Sequence, residues 1–179
     1  LTSHEPYWIP ERYKNTYPAS EPEHLHSLRY ADFALRRFFE TAQTMPWYHD
    51  TLFVLLADHT MGTSQTADRG RVESYSIPIV FFTPAGDLTG RYTKIFQQLD
   101  IMPTLLDLAG AKPLETSHGK PARSMHGRSL GPVLRDPNAP SPRNEQYYEC
   151  WANRAFYRDG WIAVSLQKKG FPVDFDNWT

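Results

Sequence analysis

The sequence predicts an α/β layered fold, with helices around a mostly parallel sheet and a small β-hairpin subdomain at the C-terminal end. Three observations carry this. A long amphipathic segment of helical period covers residues 23–44. Two short apolar runs of strand composition follow, at 51–57 and 77–82. A compact helical segment with its own stop signal then covers 101–109. Helix, buried strand, loop, buried strand, helix is the order of a layered α/β chain.

The first 22 residues read as loop, because Pro6, Pro10, Pro18 and Pro22 interrupt any long helix. In residues 23–44, Leu25, Leu28, Phe33, Leu35, Phe38 and Phe39 recur at spacings near 3 and 4. Arg29, Asp32, Arg36 and Arg37 fill the other face. Met45-Pro46 ends that helix and Asp50 marks a turn. Thr51-Leu52-Phe53-Val54-Leu55-Leu56-Ala57 is continuously apolar, the pattern of a strand covered on both faces, as in a parallel sheet. Residues 60–74 are polar and read as loop. Ile77-Pro78-Ile79-Val80-Phe81-Phe82 is the second strand, stopped by Thr83-Pro84-Ala85-Gly86.

In residues 101–109, Asp100 stands near the helix start, Pro103 in the first turn and Gly110 at the C-cap. A polar, proline-containing stretch covers 111–145. Two strands are expected at 146–151 and 161–166, with Asp159-Gly160 as the turn before the second.

Composition narrows the class. Hydrophobic residues make up 40% and charged residues 22%, which is globular usage and not disorder. A formal net charge of −1 supplies no basic field for nucleic acid. The single cysteine, Cys150, excludes a disulfide within the chain and leaves the compartment open. No apolar run reaches the roughly 20 residues of a membrane span. The opening at Leu1 and the close at Thr179 both read as cuts through a longer protein, so a membrane anchor in that parent stays open.

Ligands of open α/β sheets bind beyond the carboxyl ends of the strands. At the end of the first apolar run stand Asp58 and His59. Neighbouring residues within a strand point to opposite faces, but a turning backbone lets both converge on one ion. Oxygen and nitrogen donors together suit Zn²⁺, Mn²⁺ or Fe; a carboxylate alone suits Ca²⁺ or Mg²⁺. On spacing alone, Asp58 could equally cap the next element and His59 be a loop histidine. A second candidate is His4, in a loop with Pro6 and Pro10 just after it. It could donate to a sulfate or phosphate oxygen or protonate a leaving group, or be an ordinary surface histidine.

Thr51-Leu52-Phe53-Val54-Leu55-Leu56-Ala57-Asp58-His59-Thr60 resembles the metal-binding strand of the sulfatase and alkaline phosphatase superfamily, in particular its lipoteichoic acid synthase-like branch. Ser3-His4-Glu5-Pro6-Tyr7, with Pro10, resembles that branch's substrate-histidine loop. Tyr75-Ser76-Ile77-Pro78-Ile79-Val80-Phe81-Phe82-Thr83-Pro84 is similar to the next core strand. Gln98-Leu99-Asp100-Ile101-Met102-Pro103-Thr104-Leu105-Leu106-Asp107-Leu108-Ala109-Gly110 is similar to the late helix, and Gly127-Arg128-Ser129-Leu130 to its sequel. The likenesses run in family order over about residues 1–135. The tail resembles the other branch: the Asn153-Arg154-Ala155 strand before Gly160-Trp161 looks like the C-terminal hairpin of arylsulfatases.

The resemblance implies an alkaline phosphatase-like layered fold. Residues 1–135 would be the C-terminal part of a sulfatase-like catalytic domain, and 136–179 the truncated start of a C-terminal β subdomain. It implies a metal-dependent sulfuric ester hydrolase working through a covalent intermediate, with a lipoteichoic acid synthase-like phosphoglycerol or phosphoethanolamine transferase as the alternative. The third reading is a non-catalytic fragment.

Asp58 and His59 would hold the ion. Ca²⁺ is usual in sulfatases, whose second ligand is often asparagine; Mn²⁺ or Mg²⁺ is usual in the phosphotransferases, where histidine is commoner. His4 would hold the transferring group or its leaving oxygen. Arg69 and Arg71, in the loop after the metal pair, would add planar cationic donors, or be solvated loop arginines.

Asp100 is expected to be structural, and His118 and His126 to lie at the surface. The family's nucleophile, a formylglycine in a Cys/Ser-x-Pro-x-Arg motif or a threonine, would lie upstream of the His4 loop, as would the first metal carboxylate. Cys150 precedes Trp151-Ala152-Asn153-Arg154 and does not fit that motif; it reads as an inert strand thiol. Family habit points to the periplasm or cell exterior.

Overall fold

The computed structural model of the chain describes residues 3–60, 75–88, 90–93, 95–150 and 153–165, with Cys150 described by its backbone alone. It divides into two compact units, Leu1–Leu52 with Thr83–Ala85, and Phe53–Phe82 with Gly86–Thr179.

In the first unit, helix α1 (Glu11–Lys14) starts directly after Pro10, and helix α2 (Glu23–Ala42) directly after Pro22. A proline just outside the first turn presets the entering chain and gives up no helical N–H. The expectation of loop throughout 1–22 therefore misses α1. Tyr13 of α1 packs on Tyr30 and Phe33 of α2, with ring centroids 5.1 and 5.5 Å apart. The Arg29 guanidinium holds Glu21 in a two-pronged pair at 2.9 and 2.7 Å, tying the helix to the residues that precede it. Ile9, Ser27, Ala42 and Tyr48 are the buried residues of this unit. Leu28, Leu35 and Phe38 remain substantially exposed along α2, so the helical period is right while the buried stripe is narrower than the sequence implies.

The second unit opens with β1 (Phe53–Leu56), which pairs antiparallel with β2 (Ile79–Phe82), Phe53 opposite Phe82 and Leu56 opposite Ile79. This departs from the expected parallel arrangement: every strand pairing among the described residues is antiparallel. An unbroken apolar run reports that both faces of a strand favour burial. It carries no information on the direction of the neighbour.

A 3₁₀ turn, Gln98–Asp100, then runs into helix α3 (Ile101–Leu108). The 3₁₀ turn opens on a capping box in which the Asp100 carboxylate accepts from the Gln97 N–H at 2.8 Å, and α3 follows without a side-chain cap of its own. Its end is a Schellman closure. Gly110 lies at φ 63°, its N–H donates to the Asp107 carbonyl at 3.1 Å, and the Ala111 N–H donates to Leu106 at 2.8 Å. The cap proper is Ala109, with Gly110 one residue beyond.

Within the polar stretch, a two-residue turn at His118-Gly119, both at positive φ, joins the short strands β3 (Thr116–Ser117) and β4 (Lys120–Pro121). Helix α4 (Gly131–Arg135) follows. The C-terminal sheet is a meander of β5 (Glu145–Cys150), β6 (Asn153–Arg158) and β7 (Trp161–Ser165). Asp159 and Gly160, at φ 47° and 91°, make the two-residue turn whose twist suits a β-hairpin.

Polar residues share the buried centre of this unit with Phe53, Leu130 and Val133. Asp100 and Thr104 have no exposed surface and Arg143 almost none. The Asp100 carboxylate accepts from the Gln97 N–H, the Arg128 N–H at 2.8 Å and the Arg143 guanidinium in two places. A carboxylate taken from water this completely requires such a set of donors. The Thr104 hydroxyl donates to the Asp100 carbonyl and accepts from the Leu130 N–H at 2.9 Å. One buried carboxylate thus ties the start of α3, the 127–130 segment and the approach to β5.

Candidate functional site

β1 ends at Leu56, and Ala57, Asp58 and His59 follow in a turn. The His59 N–H donates to the Asp58 carboxylate at 2.9 Å, which folds that side chain back over the next residue. His59 Nδ1 lies 2.9 Å from the Thr60 carbonyl. A carbonyl only accepts, so Nδ1 carries the proton and Nε2 presents its lone pair outward in the neutral ring. Nε2 stands 3.7 Å from Asp58 Oδ2, and both side chains are largely exposed, at 72% and 76%.

Two ligand atoms about 2.1 Å from one ion stand about 3.0 Å apart at a right angle and about 3.4 Å apart at the tetrahedral angle. The observed separation is slightly wider, within reach of a small side-chain rotation. Metal-bound histidines commonly give the other ring N–H to a carbonyl or carboxylate, and His59 has that arrangement. The pair therefore fits a divalent cation in donor type and tautomer. Two donors leave most of a coordination sphere to other groups. No cluster of three or more His, Cys, Asp or Glu residues suited to a metal occurs among the described residues.

The turn is braced from the 3₁₀ segment. The Gln98 side-chain amide donates to the Asp58 carbonyl at 2.8 Å and to the Ala57 carbonyl at 3.1 Å. A separation of 40 to 41 residues between these partners leaves no local signal in the sequence, which does not mark Gln98 as a site residue.

His4 lies in the first unit on an exposed turn in which the Tyr7 N–H returns to the His4 carbonyl at 2.6 Å. The loop is folded back here, ahead of Pro10. His4 Nδ1 lies 2.8 Å from the Glu5 carbonyl, so it also carries its proton on Nδ1 and offers Nε2 outward. Arg69 and Arg71 lie outside the described residues, and so does the Cys150 side chain. His118 and His126 are both exposed. His126 borders a shallow cleft with Leu99, Arg128, Tyr147 and Phe156. The cleft also contains Glu145, whose carboxylate offsets the cationic rim. Asp100, expected to be structural, stands at the N-cap position of α3 without a side-chain bond to that helix; its carboxylate closes the capping box of the preceding 3₁₀ turn and forms the buried pair with Arg143.

The fold is that of the alkaline phosphatase superfamily. A solved protein of that superfamily from Vibrio parahaemolyticus superposes with a TM-score of 0.58 over 97% of this chain, at 23% identity. This chain spans 43% of that protein's length. The family model for Sulfatase matches residues 1–111, and the chain belongs to the sulfatase family. The matched span includes His4, Asp58, His59 and Gln98. Among the described residues, no helix is long and apolar enough to cross a membrane.

Proposed function

We propose that this chain is the metal-bearing C-terminal part of a sulfatase-family hydrolase that cleaves sulfate esters through a covalent intermediate. The observation that carries the proposal is the Asp58–His59 pair. A carboxylate and an outward-facing imidazole nitrogen stand 3.7 Å apart at the carboxyl end of a core strand, within the matched sulfatase span.

Asp58 and His59 would hold a divalent ion, Ca²⁺ or Mn²⁺/Mg²⁺. Bound there, such an ion neutralises ester oxygens and activates a nucleophile. The chain's own contributions are these. Asp58 supplies the negative charge that retains the cation. His59 is oriented by the bond from its Nδ1 to the Thr60 carbonyl, which leaves Nε2 as the nitrogen available to an ion. His4, protonated at Nδ1 toward Glu5, can hold a substrate oxygen, or give a proton to a leaving alcohol, through Nε2 in its charged form. Arg69 and Arg71 are proposed as supplementary donors to the anionic group, in keeping with the geometry of guanidinium toward sulfate and phosphate. The nucleophile, a formylglycine or a threonine, would come from sequence outside these 179 residues, which contain no Cys/Ser-x-Pro-x-Arg motif.

The histidine at position 59 supports a second reading. A nitrogen donor beside the carboxylate suits Mn²⁺ better than Ca²⁺, as expected of a lipoteichoic acid synthase-like phosphoglycerol or phosphoethanolamine transferase. The arylsulfatase-like β6–β7 hairpin favours the hydrolase. A non-catalytic binding fragment is the third reading. The proposed setting is the periplasm or the cell exterior, with a sulfate- or phosphate-ester substrate and no nucleic acid.

The test is metal binding. Titration with Mn²⁺ and Ca²⁺ should show one site that Asp58→Ala weakens by at least tenfold. Equal metal uptake by the wild type and Asp58→Ala would overturn the assignment.

A further inference from the structure

We propose that Gln98 is the positioning residue for the Asp58–His59 turn, setting the direction in which the metal-binding pair leaves β1. This rests on the reading of Asp58 and His59 as cation ligands. Three observations carry it.

The first is the bond pattern. One side-chain amide donates to two successive carbonyls, Ala57 at 3.1 Å and Asp58 at 2.8 Å. Two bonds from one nitrogen to adjacent peptide units fix the orientation of both peptide planes. The backbone of Asp58 therefore cannot rotate without losing one of them. Because the Asp58 carboxylate and the His59 imidazole both spring from this turn, their separation depends on those planes.

The second is the anchor. Gln98 opens a 3₁₀ turn whose Asp100 is fully buried and held by Gln97, Arg128 and Arg143. A brace transmits position only if its own base is fixed, and the buried, multiply bonded Asp100 carboxylate supplies such a base.

The third is the alternative for the turn. Among the described residues, the other polar bonds of Asp58 and His59 reach no further than the next residue. Local contacts shape the turn but do not locate it relative to the rest of the unit. Among the hydrogen bonds described, the Gln98 bonds tie it to a distant segment. Positioning to about 0.5 Å is what a binding constellation requires of its supporting groups.

The test uses the 179-residue chain and Mn²⁺ alone, followed by NMR. Mn²⁺ broadens nearby signals, so binding at His59 is read directly from its imidazole and from the amides of residues 57–60. Gln98→Met keeps the side-chain length without the donor, and Gln98→Ala removes the side chain; Gln98 is exposed, so both should fold. The metal-free spectrum should shift at residues 57–60 in both variants, with β5–β7 and the thermal midpoint unchanged. The Mn²⁺ concentration giving half-broadening of His59 should rise three- to tenfold. Wild-type shifts at residues 57–60 in both variants would overturn the proposal, as would shifts with unchanged Mn²⁺ affinity.

Asp58→Asn separates the two layers of inference. If the wild type shows no His59 broadening that Asp58→Asn removes, the metal reading fails. The metal-free shifts then still decide whether Gln98 positions the turn.

Discussion

Asp107 shows at the scale of one residue how this unit responds to acid. Its carboxylate accepts from the Arg135 guanidinium at 2.8 Å and from the Ser129 hydroxyl. These bonds, the Arg135 one foremost, hold its pKa below the ordinary carboxylate range. The folded state therefore binds the proton less readily than the unfolded chain. The stabilisation is fully present above about pH 3.9, the unfolded value. It is lost as pH falls through the lower folded value. Replacing Asp107 by Asn should lower the thermal midpoint at pH 7, because the pair with Arg135 is lost, and should flatten the dependence of the midpoint on pH below about 4. Thermal melts of both proteins from pH 7 down to pH 2.5 read this directly. Parallel curves over the acid range would show that Asp107 is not the responsible group.

Elements here are joined by close backbone approach as much as by apolar packing. Gly127 lies against the peptide of Leu99: a Cβ added there would sit 1.8 Å from the Leu99 carbonyl oxygen and 2.5 Å from its carbon. Those are backbone atoms, so no side chain can swing away to make room. Gly127→Ala must push the 127–128 segment off the start of α3, carrying with it the Arg128 N–H bond to Asp100. Overpacking of this kind costs about 1–3 kcal/mol, and loss of a bond to a buried carboxylate adds to it. For a chain of this size each kcal/mol moves the midpoint by about 2–4 °C, so a fall of several degrees is expected by calorimetry. An unchanged midpoint would mean that the segment is not clamped as described. The same displacement would move Leu99, beside Gln98, and so reach the Asp58 turn.

At the scale of the whole molecule, the sequence made local structure legible and left long-range partnerships dark. The helix at 23–44 appears as Glu23–Ala42, because a helical period is a property of neighbours three and four apart. The stop of α3 at Gly110 and the hairpin turn at Asp159-Gly160 are local for the same reason. Pairing of Asp100 with Arg143, bracing of Asp58 by Gln98, and the antiparallel sense of β1 and β2 join segments tens of residues apart. No spacing rule encodes those. Asp58 and His59 stand out as candidates only because a strand end and a family resemblance coincide there.

The division between what these residues hold and what they lack leads to the last expectation. Binding needs a carboxylate and an imidazole, which the chain has. Ester cleavage by this family's route needs a nucleophile that its 179 residues do not contain in the required motif. Oriented electrostatic groups without a nucleophile leave the covalent step unavailable. The chain should therefore take up Mn²⁺ yet turn over neither p-nitrophenyl sulfate nor bis(p-nitrophenyl) phosphate above the uncatalysed rate. Release of p-nitrophenol followed at 405 nm decides this. Turnover lost in Asp58→Ala would mean that a metal-activated water at this pair does the chemistry, replacing the proposed covalent route.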